Sequence, residues 1–170
     1  MREHFREPAQ LFAYQLGSAL MMEHDSLAML AALATAARSE QARDLFERHL
    51  GETRGQAARL ERAYLLLDLE RTPHPSPASD TLLRDSREML KRADPALVDL
   101  LALSAALGAE HHEIATYQTL IAATSALGAA EVTELLEESL AEERRASEVL
   151  ADAVRRAAHE LAAVPVGGRA

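Results

Sequence analysis

The sequence predicts an all-α fold: a four-helix bundle with one long crossover between helices two and three, plus a short extra helix in the crossover. Three observations lead there. Glycine and proline are scarce, 7 and 6 in 170 residues, in a chain that is 48% hydrophobic and rich in Ala and Leu; such a composition favours long helices. Four stretches repeat apolar residues at three- and four-residue steps. A proline-rich segment, "RTPHPSPAS", divides them two and two. The length suits one domain, spanning 1–170. Its parts are helical hairpins over about 8–70 and 95–163, a crossover over 71–94 and a disordered tail over about 164–170.

The first helix is expected from Pro8, a residue suited to a first helical turn, to Ala37. Phe12, Leu16, Leu20, Leu27 and Leu30 form its stripe. After the break "RSE" the second runs from Gln41 to Glu70, with Leu45, Leu60, Ala63 and Leu67 on its stripe. Pro73, Pro75 and Pro77 exclude a helix interior. Ser79 or Asp80 offers a cap for a short helix through Arg92. Asp94–Pro95 restarts the chain with an acceptor at the cap and proline in the first turn. The third helix reaches Leu127, where Gly128 suits the stop, and the fourth runs from Ala129 to Ala163. Tight links make each pair antiparallel. The segment Arg71–Asp94 is long enough to return along a helix of about 28 residues, roughly 42 Å. This is ferritin-like connectivity.

Bulk properties exclude several functions. There is no Cys, which removes disulfides, thiolate chemistry and cysteine-held metals. A formal net charge of −9 argues against nucleic acid as a partner. No apolar run reaches the ~18–20 residues of a membrane span, and "MREHFREPAQ" is too charged for a secretory leader. The expected location is the cytoplasm.

The halves resemble each other. At an offset of 87, Leu16, Leu20, Glu23, His24 and Leu33 fall on Leu103, Leu107, Glu110, His111 and Leu120. At an offset of 90, Leu45, Glu47, Leu50, Glu52 and Leu60 fall on Leu135, Glu137, Leu140, Glu142 and Leu150. The pattern reads as a duplicated hairpin.

Four of the matched glutamates point inward. Glu23 lies within the first stripe. Glu110 interrupts Leu103, Leu107, Ile114, Tyr117 and Ile121 on the third. The inward row of the second helix reads Leu45, His49, Glu52, Gln56, Leu60, and that of the fourth Leu135, Ser139, Glu142, Ala146, Leu150. Counted from the turns near 39 and 128, Glu23, Glu52, Glu110, Glu113 and Glu142 lie 16, 13, 18, 15 and 14 residues away. At ~1.5 Å per residue they share one depth within a turn. Burying ionised carboxylates costs several kcal/mol each unless compensated. No Arg or Lys falls on these rows. A pair of hard or borderline cations, iron or manganese, would neutralise them, with His49 as a nitrogen ligand and Glu113 as a fifth carboxylate. Gln56 is read as an orienting partner or core filler, and Tyr117 as core. His24, His111 and His112 flank the inward positions, and His4, His74 and His159 are read as surface. Glu143 is expected in solvent with Arg144 and Arg145, although a one-residue shift of register would exchange it with Glu142.

The stretches "HLGETRGQAARLE", "AEHHEIATYQTL" and "LGAAEVTELLEESLAEE" resemble the YciF-like family of bacterial ferritin-like proteins, over Phe12 to about Ala153. That resemblance implies a ferritin-like bundle, a link to stress responses and pairing as a homodimer. One feature departs from the wider di-iron pattern, in which two helices carry Glu-x-x-His. Three residues after Glu52 and Glu142 stand Gly55 and Arg145. The expected site is therefore asymmetric: a dinuclear iron or manganese centre held by Glu23, His49, Glu52, Glu110, Glu113 and Glu142, oxidising Fe(II) or disposing of peroxide. The alternative is a non-catalytic helical stress protein, a dimerisation or partner-binding module with a structural or vestigial ion site.

Overall fold

The computed structural model describes residues 4–163; the tail expected from 164 lies outside them. Among the described residues there are five α-helices and no strand: α1 (Pro8–Ala36), α2 (Glu40–Leu66), α3 (Pro77–Arg92), α4 (Val98–Ala126) and α5 (Ala130–Ala163), with a 3-10 turn at Pro95–Leu97 before α4. The helices α1, α2, α4 and α5 form the bundle, and α3 packs across α1 and α4. The all-α bundle with a long crossover and an extra helix is thus the observed fold. No described helix is long and apolar enough to cross a membrane.

Two apolar clusters give the helix directions. One joins Phe12 and Leu16 of α1 to Leu60, Leu120 and Leu136. The other joins Leu30 and Leu33 to Phe46, Leu103 and Leu150. The start of α1 therefore meets the end of α4, so α1 runs antiparallel to α4 and α2 runs parallel to it. Between the clusters lies a polar layer.

The sequence-based boundaries shift at three places. Helix α2 ends at Leu66 rather than Glu70. Asp68 adopts a left-handed backbone, φ 51°, which Asp tolerates better than most residues. The Leu69 N–H then closes the end by bonding the Tyr64 carbonyl at 3.0 Å. Helix α3 begins at Pro77, and neither Ser79 nor Asp80 caps it. Ser79 Oγ instead donates to Asp25 Oδ2 at 2.6 Å, fastening the crossover to α1. Asp94 makes no capping bond. Asp99, one turn on, accepts the N–H groups of Arg38 and Ser39 at 2.7 and 2.8 Å, tying the α1–α2 link to the start of α4.

Gly17 lets the crossover pass close to α1. A Cβ there would press into the Thr72 carbonyl oxygen and the His74 ring. His74 is half-buried rather than on the surface, because its ring packs on Tyr14 with centroids 4.7 Å apart.

Candidate metal centre

Each bundle helix sends an ionisable side chain into the polar layer. Glu23 comes from α1, His49 from α2, Glu110 and Glu113 from α4, and Glu143 from α5. Glu110 and Glu113 share a face because a three-residue step nearly completes a helical turn. Relative exposure is 0% for Glu23 and Glu143, 1% for Glu110, 2% for Glu113 and 5% for His49.

Few protein groups serve these carboxylates. The Tyr117 hydroxyl donates to Glu23 Oε1 at 2.6 Å. His49 Nε2 lies 3.0 Å from Glu110 Oε1 and 3.7 Å from Glu143 Oε2, contacts not aligned as hydrogen bonds. Its Nδ1 meets Glu52 Oε2 at 3.1 Å. Glu23 Oε2, both oxygens of Glu110 and Glu143, Glu113 Oε2 and His49 Nε2 are buried without a hydrogen-bond partner in the protein. Unpartnered buried polar atoms are uncommon and costly. Here they converge. One donor atom each from His49, Glu110 and Glu143 lie within 4.8 Å of one another, as do those from Glu23, Glu113 and Glu143. Glu143 belongs to both groups.

Burial dominates the protonation of the layer. It pushes Glu23 up to about 8 against the opposing Tyr117 hydrogen bond. It raises Glu113 well above the carboxylate range, with the charges of Glu23 and Glu110 adding to the effect. Burial and the Glu113 charge raise Glu143 strongly. Burial works against charge on His49, but its contacts with Glu110 and Glu52 prevail and raise it to about 9. Tyr117 is raised by burial and by the Glu23 charge. An oxygen-rich cluster with one imidazole, poor in internal donors, is a donor set suited to iron or manganese.

Comparison with known proteins places this chain in a family. Residues 7–163 match the family model described as a domain of unknown function, DUF892. The chain belongs to the DUF892 family. It is 30% identical to protein YciF of Escherichia coli (strain K12) over 146 residues, which is 84% of this chain and 87% of that protein. It superposes on the crystal structure of the E. coli stress protein YciF with a TM-score of 0.87 at 26% identity, covering 92% of this chain and 99% of that one. YcfI from Rhodopseudomonas palustris gives 0.84 at 26% identity, over 88% and 96%. The YciF-like resemblance read from the motifs is therefore correct.

Within this DUF892 chain the layer gathers Glu23, His49, Glu110 and Glu113 as the sequence suggests, but differs at two positions. Glu142 is turned away, with Gln56 Nε2 at 3.1 Å and the Arg59 guanidinium on its carboxylate. Glu143 takes the inward place. The buried row of α5 runs Val132, Leu136, Ser139, Glu143, Ser147, Leu150, so the stripe is anchored on Leu136 and not on Leu135. Glu52 is also displaced. The buried row of α2 is Phe46, His49, Thr53, Gln56, Leu60, which leaves the Glu52 side chain 45% exposed at the edge, bonded to His49.

Other DUF892 side chains settle into plain roles. Arg59, absent from the rows read in sequence, reaches Ser139 Oγ at 2.9 Å and Glu138 at 3.1 Å as well as Glu142. Its length carries the charge inward from a position beside the stripe. His24, His111, His4 and His159 are exposed, and His112 is half-buried. Tyr117 is core and also a hydrogen-bond donor to the site.

Proposed function

We propose that the buried layer is a dinuclear iron or manganese centre of a YciF-like stress-associated protein. The observation that carries this reading is the pair of three-donor groups meeting at Glu143, built from atoms the protein leaves unpartnered. His49, Glu110 and Glu143 would hold one ion, and Glu23, Glu113 and Glu143 the other. Two divalent cations would balance the four carboxylates. Bound iron or manganese would supply redox chemistry, suited to oxidising Fe(II) with oxygen or peroxide as the electron acceptor, the latter being consumed.

The chain's own residues prepare the site. Glu52 engages His49 Nδ1 and thereby turns Nε2 toward the cluster. Tyr117 fixes one oxygen of Glu23 and leaves the other free. Arg59 and Gln56 hold Glu142 outside. The two apolar clusters bound the layer above and below. In this reading Glu52 acts through His49, and Glu142 stands outside the layer on Arg59 and Gln56, where the sequence suggests direct ligands.

One observation favours the alternative, a non-catalytic bundle with a vestigial site. Burial raises Glu23, Glu113 and Glu143, so protonation can neutralise the layer without a metal. Metal content separates the readings. Protein purified without chelator from iron- and manganese-replete cells should carry close to two ions per chain, lost in Glu110→Ala and Glu143→Ala. Absence of metal, with no change in melting temperature on adding Mn(II), rejects the centre. A loaded protein that turns over neither Fe(II) nor peroxide restricts the metal to a structural role.

A further inference from the structure

A cavity of about 230 Å³ opens to the surface between α2 and α5, beside the candidate centre. Its depth and its mouth differ in chemistry. The floor is made by Leu30, Phe46, Leu150 and His49, all buried. Two exposed arginines, Arg48 and Arg145, stand at the mouth. Neither forms an ion pair among the described residues. Other exposed arginines, Arg54 and Arg144 among them, are likewise unpaired among the described residues; what sets Arg48 and Arg145 apart is that they share one opening. The acid at the mouth, Glu52, is engaged by His49.

We propose that this cavity binds a small apolar monocarboxylate, its carboxylate at Arg48 and Arg145 and its apolar body on Leu30, Phe46 and Leu150. Guanidinium groups bind carboxylates with planar, charge-assisted hydrogen bonds. The volume is below the ~300–1,000 Å³ of sites for drug-sized ligands, which limits the body to one ring or a short chain. Inorganic phosphate has nothing to offer the apolar floor. A dicarboxylate would drive its second charge onto that floor or toward the glutamates beyond His49. The inference goes beyond the metal reading and stands without it, because metal-free protein is the test material. It adds that an organic acid sits against the His49 side of the centre.

Benzoate is the probe, titrated calorimetrically into metal-free protein, with benzyl alcohol as the uncharged analogue. Saturable benzoate binding is expected. The double variant Arg48→Gln/Arg145→Gln should weaken it by about tenfold or more, as charge-assisted hydrogen bonds are lost, and leave benzyl alcohol unchanged. Ala146→Phe, which fills the cavity, should abolish both. Val149→Trp, at a position 44% exposed, blocks the mouth without burdening the core if Ala146→Phe does not fold. No benzoate binding to the native chain overturns the proposal, as does equal affinity in both filled variants. Phosphate binding as tightly as benzoate would make the arginines a plain anion patch. Benzoate binding that requires Mn(II) and is lost in Glu110→Ala would place the acid on the ion instead. A dimer dissociated by Val149→Trp, with no benzoate bound, would assign the cavity to a second copy of the chain.

Discussion

The Tyr117 hydroxyl and Glu23 Oε1 lie 2.6 Å apart in a fully buried setting, joining α4 to α1 at the depth of the polar layer. The bond fixes one carboxylate oxygen and leaves the other without a hydrogen-bond partner, in a residue that groups with Glu113 and Glu143. Tyr117→Phe removes it and leaves both oxygens of Glu23 without a donor. The expected cost is about 1–3 kcal/mol in the metal-free protein, the range for a buried acceptor left unmet. Urea unfolding of metal-free protein measures it; an unchanged midpoint and slope would show that this bond contributes nothing.

The metal-free protein should lose stability as pH rises from 4.5 to about 9. A group whose pKa is higher in the folded state stabilises the fold below its unfolded value, and that contribution is lost as pH climbs through the folded value. Glu23, raised from 4.5 to about 8, begins to lose its contribution above pH 4.5 and has lost it above 8. His49, raised from 6.5 to about 9, follows between those limits. Glu113, raised by burial, acts in the same direction. Melting temperatures across this range should fall without metal and fall less with Mn(II), which takes the place of the protons. A flat profile without metal would refute the raised values.

Adjacent glutamates on α5 should respond differently. Glu143→Gln removes the carboxylate common to both donor groups and should lower the ions retained per chain. Glu142→Gln should leave metal content intact. It releases Arg59 from a contact in which the two side chains are 15% and 16% exposed, at a cost of about 1–3 kcal/mol. Metal analysis and urea unfolding of the two variants decide the matter, and the reverse pattern would restore Glu142 to the site.

Gly17→Ala should loosen the crossover. The added methyl meets backbone at Thr72, which cannot rotate aside, and overpacking of this kind costs about 1–3 kcal/mol. Hydrogen exchange should quicken across 67–76 while α5 stays protected. Unaltered exchange in that segment would mean the link yields freely.

The fold was legible because its signals were long. Four periodic stretches and a cluster of prolines leave little choice of architecture, and "EHHEIATY" with "HLGETRGQAARL" carries the family. Side-chain direction was less legible, for one reason. Both polar rows were anchored on repeat-matched leucines, Leu45 and Leu135, whereas the buried neighbours are Phe46 and Leu136. The expected and buried rows share His49, Gln56 and Leu60 on α2 and Ser139 and Leu150 on α5, so the faces agree and only the choice between three- and four-residue steps differs, which exchanges neighbours about 100° apart. The internal match repeats that choice in both halves, so Glu52 and Glu142 are drawn inward together. The spacing Leu136, Ser139, Glu143, Ser147, Leu150 held the signal for Glu143, but three adjacent acids and arginines masked it. Arg59 was hidden because its backbone sits beside the stripe and only its long side chain reaches in.

The polar layer divides the hydrocarbon of the bundle into two compartments. Smooth rows of Ala and Leu can slide past one another at little cost, one helical turn being a shift of about 5.4 Å. A slide of that size here would drive a carboxylate among leucines and withdraw it from His49 or Tyr117. The layer therefore works as a detent, setting how far each helix travels along its neighbours. A bundle with alanine at Glu23, Glu110, Glu113 and Glu143 would shed the desolvation cost and also lose its ratchet stop, leaving several alignments of similar energy.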